Sequence, residues 1–370
     1  MKKLLLLFLC VPFFFNSCKK EEENITPNNI NLTWKKTFSG YAYSVQQNPD
    51  GGYIIAGEVN NPNSGGNSCV IKTDLNGNII WTKDSGHSGE IFYVDQTADG
   101  GYILTGSTWI DNHLNKLILI KIDANGNEEW YNIFSSDYNR GQCVQQTFDG
   151  GYIIFSTKGL IKTDANGNEL WNNIHSLVDY RVYDGQQTFD GGYVCTGQLD
   201  TDPGYTQEDV FLSKFNSNGN QEWVKTWDFG NQKDEIGFLI EQTADGGYII
   251  GVYPDTDTSK LIKTDSDGNE IWRYNFIAFS DWGFSVNQTL DGGYIIAKSA
   301  SEGIVLTKID SQGNVIWNTT TYSFDFSSVH RIYQTTDLGF IILGNTGDSD
   351  DWNQGETDII LIKTDPQGNY

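Results

Sequence analysis

A two-part phrase recurs seven times along this chain and restricts the fold more than any other feature. Its first part is Asp-Gly-Gly-Tyr, starting at Asp50, Asp99, Asp149, Asp190, Asp245 and Asp291, with a degenerate copy at Asp337-Leu338-Gly339-Phe340. Its second part is Lys-x-Asp-x-x-Gly-Asn, as in Lys72 to Asn78 and Lys263 to Asn269, recurring from Lys121, Lys162, Lys308 and Lys363 and as a variant from Lys214. From Asp50 to Asp337 the mean spacing is about 48 residues, the range of propeller-blade repeats. A repeat of this kind reports the scaffold and leaves the ligand unstated.

Residues 90–134 show what one repeat builds. Ile91 to Thr97 reads as a strand, followed by a tight turn at Ala98-Asp99-Gly100-Gly101 and a second strand from Tyr102 to Gly106. A loop holding Trp109 and His113 leads to a third strand, Leu117 to Ile122. Asp123-Ala124-Asn125-Gly126-Asn127 then carries the Asn-Gly pair that signals a two-residue hairpin, and Glu128 to Phe134 is the fourth strand. The strands are near-continuous apolar runs, the pattern of a sheet covered on both faces, and no helical periodicity is present. The prediction is an all-β, seven-bladed propeller of four-stranded antiparallel blades.

The tryptophans indicate how the ring closes. Trp81, Trp130, Trp171, Trp223, Trp272 and Trp317 each stand four residues after a turn glycine, on the fourth strand. The seventh phrase ends at Asn369-Tyr370, with no fourth strand after it. Leu32 to Phe38, with Trp34, matches Glu128 to Phe134, so the N-terminal strand is expected to complete the last blade and remove its open edge.

The Gly-x-x-x-Trp unit resembles the tryptophan-docking repeat of quinoprotein-type propellers, and the likeness runs through all seven blades from Trp34 to Asn369. The two phrases together are similar to those of bacterial and archaeal surface propeller lipoproteins. The quinone-binding enzymes are typically eight-bladed, with a vicinal cysteine pair and a calcium-bound cofactor, whereas this chain has no adjacent cysteines. The resemblance therefore implies the fold and the docking role of the tryptophans. It implies no chemistry, and no cofactor or metal is expected.

Residues 1–17 read as a signal peptide: Lys2 and Lys3, then an apolar run from Leu4 to Phe15, too short for an ordinary membrane span. Phe15-Asn16-Ser17-Cys18 resembles a bacterial lipoprotein signal with Cys18 as the lipidated residue, and Lys19 to Glu23 resembles the export tag of Bacteroidota surface lipoproteins. Residues 18–30 form a polar tether and 31–370 the propeller. The expected location is the outer membrane, lipid-anchored and facing outward. The formal charge of −24 argues against nucleic acid as a partner, since phosphate backbones need a basic face.

Most repeated polar residues have structural explanations. The seven turn aspartates cap their own turns. The glutamines three residues earlier, from Gln47 to Gln334, satisfy backbone groups between blades. Cys69, Cys143 and Cys195 fall in strands, show no zinc spacing and read as buried thiols. His87, His113, His175 and His330 match no metal motif.

The clue to function is the set of tryptophans outside the repeat, Trp109, Trp227, Trp282 and Trp352. All map to the loops joining strands two and three or four and one, on the face opposite the tight turns. So do the unequal insertions Glu58 to Ser68, Gln198 to Asp209 and Asn345 to Thr357. Variable loops on a rigid ring are where recognition concentrates. Exposed indoles suit sugar rings, and they equally serve to pack their own loops. The leading expectation is non-catalytic binding of a polysaccharide or surface protein through this loop face. One alternative is a carbohydrate-active hydrolase or lyase, with a carboxylate pair drawn from Asp111, Asp202, Glu208, Asp209, Asp281, Asp348, Asp350, Asp351, Glu356 and Asp358. Another is a structural component of a membrane complex.

Overall fold

The computed structural model describes residues 33–59, 67–110, 114–135, 140–174, 180–200, 208–229, 235–254, 258–277, 283–300, 303–322, 326–346 and 357–370. Their strands form seven four-stranded antiparallel sheets arranged as a propeller. Blade one runs from Tyr41–Gln47, its innermost strand, to Ile79–Asp84, its outermost. Blade seven begins with Phe326–Gln334 at the axis. The two middle strands of a blade are covered on both faces: Tyr152–Ser156 and Gly159–Thr163 are buried at every position. The core therefore lies between blades, as where Ile54 and Val70 of blade one meet Ile91, Leu104 and Ile118 of blade two. Each such side chain contributes about 1.5–3 kcal/mol by leaving water. Outer strands alternate exposed and half-buried positions.

The ring closes as expected. Trp34–Ser39 pairs antiparallel with Asp358–Thr364, Trp34 opposite Lys363 and Ser39 opposite Asp358, and forms the outer strand of blade seven. Every repeat tryptophan then packs on the following blade. A Cβ placed at Gly77 would lie 2.6 Å from the Trp34 ring, and one at Gly167 2.5 Å from the Trp130 ring. Only a glycine admits the indole at that distance. The same indoles meet the tyrosine of the next blade's first phrase, or Phe340 in blade seven, at centroid distances of 5.6–6.4 Å.

The two phrases of each repeat are joined by an ion pair that local sequence reading does not reveal. Lys72, Lys121, Lys162, Lys214, Lys263, Lys308 and Lys363, all buried, meet Asp50, Asp99, Asp149, Asp190, Asp245, Asp291 and Asp337 at 2.8–3.0 Å. Each aspartate also accepts the N–H of the second glycine, as Asp99 does from Gly101 at 2.9 Å. The expected turn-capping role thus holds, with a buried ammonium added to it.

The second turn departs from the expected two-residue hairpin. Asp74 N–H donates to Asn78 O and Gly77 N–H to Asp74 O, so three residues form the loop. Gly77 alone takes a positive φ, 73°, whereas a type I′ turn would need one at Asn76 as well. Asp74 Oδ1 accepts the N–H groups of Asn76 and Asn78, which fixes this geometry. In the first turn the matching glycines also have positive φ, and Leu338 stands in that place in blade seven at φ 69°.

The glutamines do what burial demands. Gln146, Gln187, Gln242, Gln288, Gln334 and Gln47 each accept, through Oε1, a turn N–H of the preceding blade at 2.7–3.3 Å. In blade one the equivalent turn position is Pro49, which has no N–H to give Gln96. Cys69, Cys143 and Cys195 are buried free thiols.

Candidate functional site

Both tight turns of every repeat lie on one face, so the other connections share the opposite face, where recognition is expected. Trp109 ends the long strand Tyr102–Ile110 there and is 50% exposed. Trp227 ends Gln221–Trp227 and is half-buried. Its Nε1–H donates to Glu270 Oε2 at 3.0 Å, in line with Trp223 on Gly268 and Lys225 on Asn269. Trp227 therefore extends the inter-blade docking row, while Trp109 presents an open indole. The two stand on non-adjacent blades. Trp282 and Trp352 lie outside the described residues, as does Cys18.

The histidines divide in the same way. His87 Nε2 lies 2.8 Å from Glu128 and its ring 4.4 Å from Tyr131, at the outer edge between blades one and two. His330 sits on the innermost strand of blade seven, where burial pushes its imidazole down to about 3 and keeps it neutral. His113 and His175 lie outside the described residues.

A feature the sequence reading missed surrounds the axis. Six innermost strands carry a β-bulge at the same place, which leaves Tyr43, Phe92, Gln142, Tyr183, Phe238 and His330 unpaired; blade seven has a second register shift between Phe326 and Ser328. Blade six has none, Phe284 pairing directly with Lys298. A bulge re-aims a side chain and tends to accompany binding sites. Each innermost strand ends at its tight turn, so the bulges fall in the half nearer the loop face. Aligning the inner strands on their glutamines would have exposed this column of aromatic residues.

The bulged residues and their neighbours form a collar. Tyr41 lies 5.2 Å from the His330 ring and 5.0 Å from Tyr43, and Tyr43 lies 5.1 Å from Phe92. The Arg140 guanidinium stands 5.3 Å from the Phe92 centroid. Tyr183 Oη donates to Gln198 at 3.0 Å. Arg140 and Arg181 are exposed, and the chain has only four arginines against 48 acidic residues. Two of the four therefore stand at the rim of the collar, and Arg331 lies deeper, among Asp184, Tyr93 and Tyr333.

Deeper in the channel the chemistry is acidic. Burial pushes the Asp95 carboxyl up to about 6 and Glu241 up to about 7. Asp184 is raised for the same reason, although it accepts the N–H groups of Gly185 and Ile240. Glu241 accepts Gln288 N–H at 2.9 Å, as Gln145 accepts Gln187 N–H and Gln186 accepts Gln242 N–H. It thus fills an amide's structural position. Burial drives the Cys143 thiol far up, the reverse of what a nucleophile needs. Of the ten carboxylates considered for hydrolysis, Glu208, Asp209 and Asp358 fall among the described residues.

No protein-family model and no curated protein matches this chain. Solved structures do. YCF48 bound to D1 peptide superposes with a TM-score of 0.56 at 12% identity, covering 90% of this chain and 97% of that one. The extracellular domain of BT3049 from B. thetaiotaomicron, assigned to the hybrid two component systems, gives 0.53 at 17% identity over 88% of this chain, which spans 40% of that structure. Sqt1 from Chaetomium thermophilum gives 0.52 at 8% identity over 83% of this chain and 80% of that one. Likeness at such identities establishes the architecture alone: the chain is a seven-bladed β-propeller.

Proposed function

We propose that this protein is a non-catalytic recognition module that binds a segment of a protein partner at the collar on its loop face, and that lipid on Cys18 holds it at the outer surface of the cell. The observation that carries the reading is the run of bulged aromatic residues from Tyr43 to Phe92, rimmed by Arg140 and Arg181 on an otherwise acidic chain. Aromatic and arginine side chains are the usual anchors of protein interfaces. The peptide bound by YCF48, a propeller of the same architecture, is compatible with it.

The test is site-directed photo-crosslinking on intact cells. A crosslinker at Phe92 should capture one defined protein, and Arg140→Glu with Arg181→Glu should abolish capture. A crosslinker at Phe148, 53% exposed on the turn face, should not. Equal capture from both faces, or none from Phe92, overturns the proposal. For the anchor, Cys18→Ser should release the protein from membranes, and continued retention counts against lipidation. The open Trp109 indole favours one second reading, a sugar-binding site on the same face. Polysaccharide binding that disappears in Trp109→Ala would establish it.

A further inference from the structure

Between blades four and five, three carboxylates from separate places in the chain converge. Asp209 lies on Glu208–Phe215, Asp228 follows the outer strand Gln221–Trp227, and Glu235 opens the inner strand Glu235–Gln242 of the next blade. One oxygen from each lies within 4.8 Å of the others. Glu235 is only 2% exposed. Its Oε2 accepts Phe229 N–H at 3.2 Å, while Oε1 is buried with no hydrogen-bond partner. A buried carboxylate oxygen left in that state costs free energy that a proton, a cation or a donor relieves, and burial accordingly pushes the Glu235 carboxyl up to about 7.

The nearby cations make no hydrogen bond to this oxygen, although the Lys260 charge acts on Glu235. Lys260 Nζ stands 4.5 Å from the Phe229 ring centroid and donates to Thr258 O at 3.3 Å. Arg273, 4.9 Å from the same ring, is held in a two-pronged pair by Glu270, both bonds 2.7 Å. Counting Lys260 with the three carboxylates, the formal charge of the cluster is −2, which one divalent cation balances.

We propose that Asp209, Asp228 and Glu235 form a binding site for Ca²⁺. The donor set is all oxygen, which selects a hard cation over zinc or copper. Oxygens bound to Ca²⁺ at about 2.3–2.6 Å lie at most about 5 Å apart, so a cluster this tight needs little rearrangement. The ion would staple the start of blade five to the third and outer strands of blade four. The site owes nothing to the collar and does not depend on the function proposed for it.

The experiment uses the full chain in detergent, stripped with a chelator. Trp227, adjacent in sequence to Asp228, is a built-in donor for terbium luminescence. Added Tb³⁺ should emit on tryptophan excitation, Ca²⁺ should displace it, and Ca²⁺ should raise the melting temperature. Glu235→Gln should weaken Ca²⁺ at least tenfold and remove the calcium-dependent rise, yet melt in chelator no lower than the parent, which separates lost binding from lost folding. Asp209→Asn should reproduce the loss of binding. Trp227→Phe should dim the emission without moving the Ca²⁺ competition midpoint. A parent protein indifferent to Ca²⁺, or a Glu235→Gln variant that responds as the parent does, overturns the site.

Discussion

The turn face and the loop face of this ring are built by opposite rules. On the turn face the same few atoms meet again and again: aspartate with buried lysine and glycine under indole seven times, glutamine across to the preceding blade six times. On the loop face and down the axis the blades diverge. One inner strand has no bulge, and charged residues take positions that neighbouring blades give to amides. Repetition therefore marks what stability requires, and departure from it marks what some other requirement has imposed.

Substitutions that interrupt the repeat should have the largest effects. Trp34→Ala should cost about 2–3 kcal/mol, toward the lower end for a large aromatic because the ring is half-exposed. Deleting residues 32–38, which also removes five of the six register pairs with Asp358–Thr364, should cost more. An unchanged melting curve would refute the closure. Next is Lys263→Met, which strands Thr264 O and Asp245. About 1–2 kcal/mol is expected, tempered by the exposure of the carboxylate. Arg181→Met at the rim should change stability by less than about 0.5 kcal/mol. Matching losses at the two positions would erase the distinction between faces.

The two regions should also titrate in opposite senses. Hydrogen bonds and the lysine partner outweigh burial at the turn aspartates and lower their pKa, Asp99 to about 2. Their stabilisation is complete above the unfolded value of 3.8 and is lost as pH falls through the folded one. Glu241, raised from 4.5 to about 7 by burial, stabilises the fold below its unfolded value, and that stabilisation is lost as pH rises through 7. The melting temperature should therefore peak near about pH 4–5. Glu241→Gln, which copies Gln186 and Gln145, should gain about 1–2 kcal/mol at high pH and almost nothing at the optimum. A uniform gain across pH would show that charge is not the cause.

The smallest effect is a gain. Leu338 holds a left-handed conformation that glycine holds in the other six first turns. Leu338→Gly should stabilise by about 0.5–1 kcal/mol, the relieved strain exceeding the added chain entropy. Denaturant unfolding would detect it, and a loss there would mean that the leucine side chain is itself bonded into the face.

The fold was legible because each blade restates it. Trp34 could be matched to Trp130 across almost a hundred positions without any knowledge of the ring. The Lys–Asp pairs were hidden although both partners lay in the repeated phrases, because each aspartate already had a sufficient local explanation. The Asn-Gly signal misled by one residue, since glycine alone meets the demand for positive φ. Trp227 was grouped with Trp109 by its place in the chain, yet its alternation with Trp223 and Lys225 turns it toward the next blade. The carboxylates of Asp209, Asp228 and Glu235 share no short spacing. Only the packing of one blade on the next brings them together, so no motif could have announced them.

The closing strand also fixes how the molecule would carry load. Trp34, opposite Lys363, lies at the turn-face end of blade seven, so a pull on the residues before it would reach the ring at that face. A pull on them is taken first by the strand that locks the circle and by the Trp34 indole on Gly77. The latch of the ring would thus be the first part to feel such a pull. A protein held by its upstream segment would swing with its loop face outboard, and tension strong enough to detach it would open the circle before disturbing blades two to six.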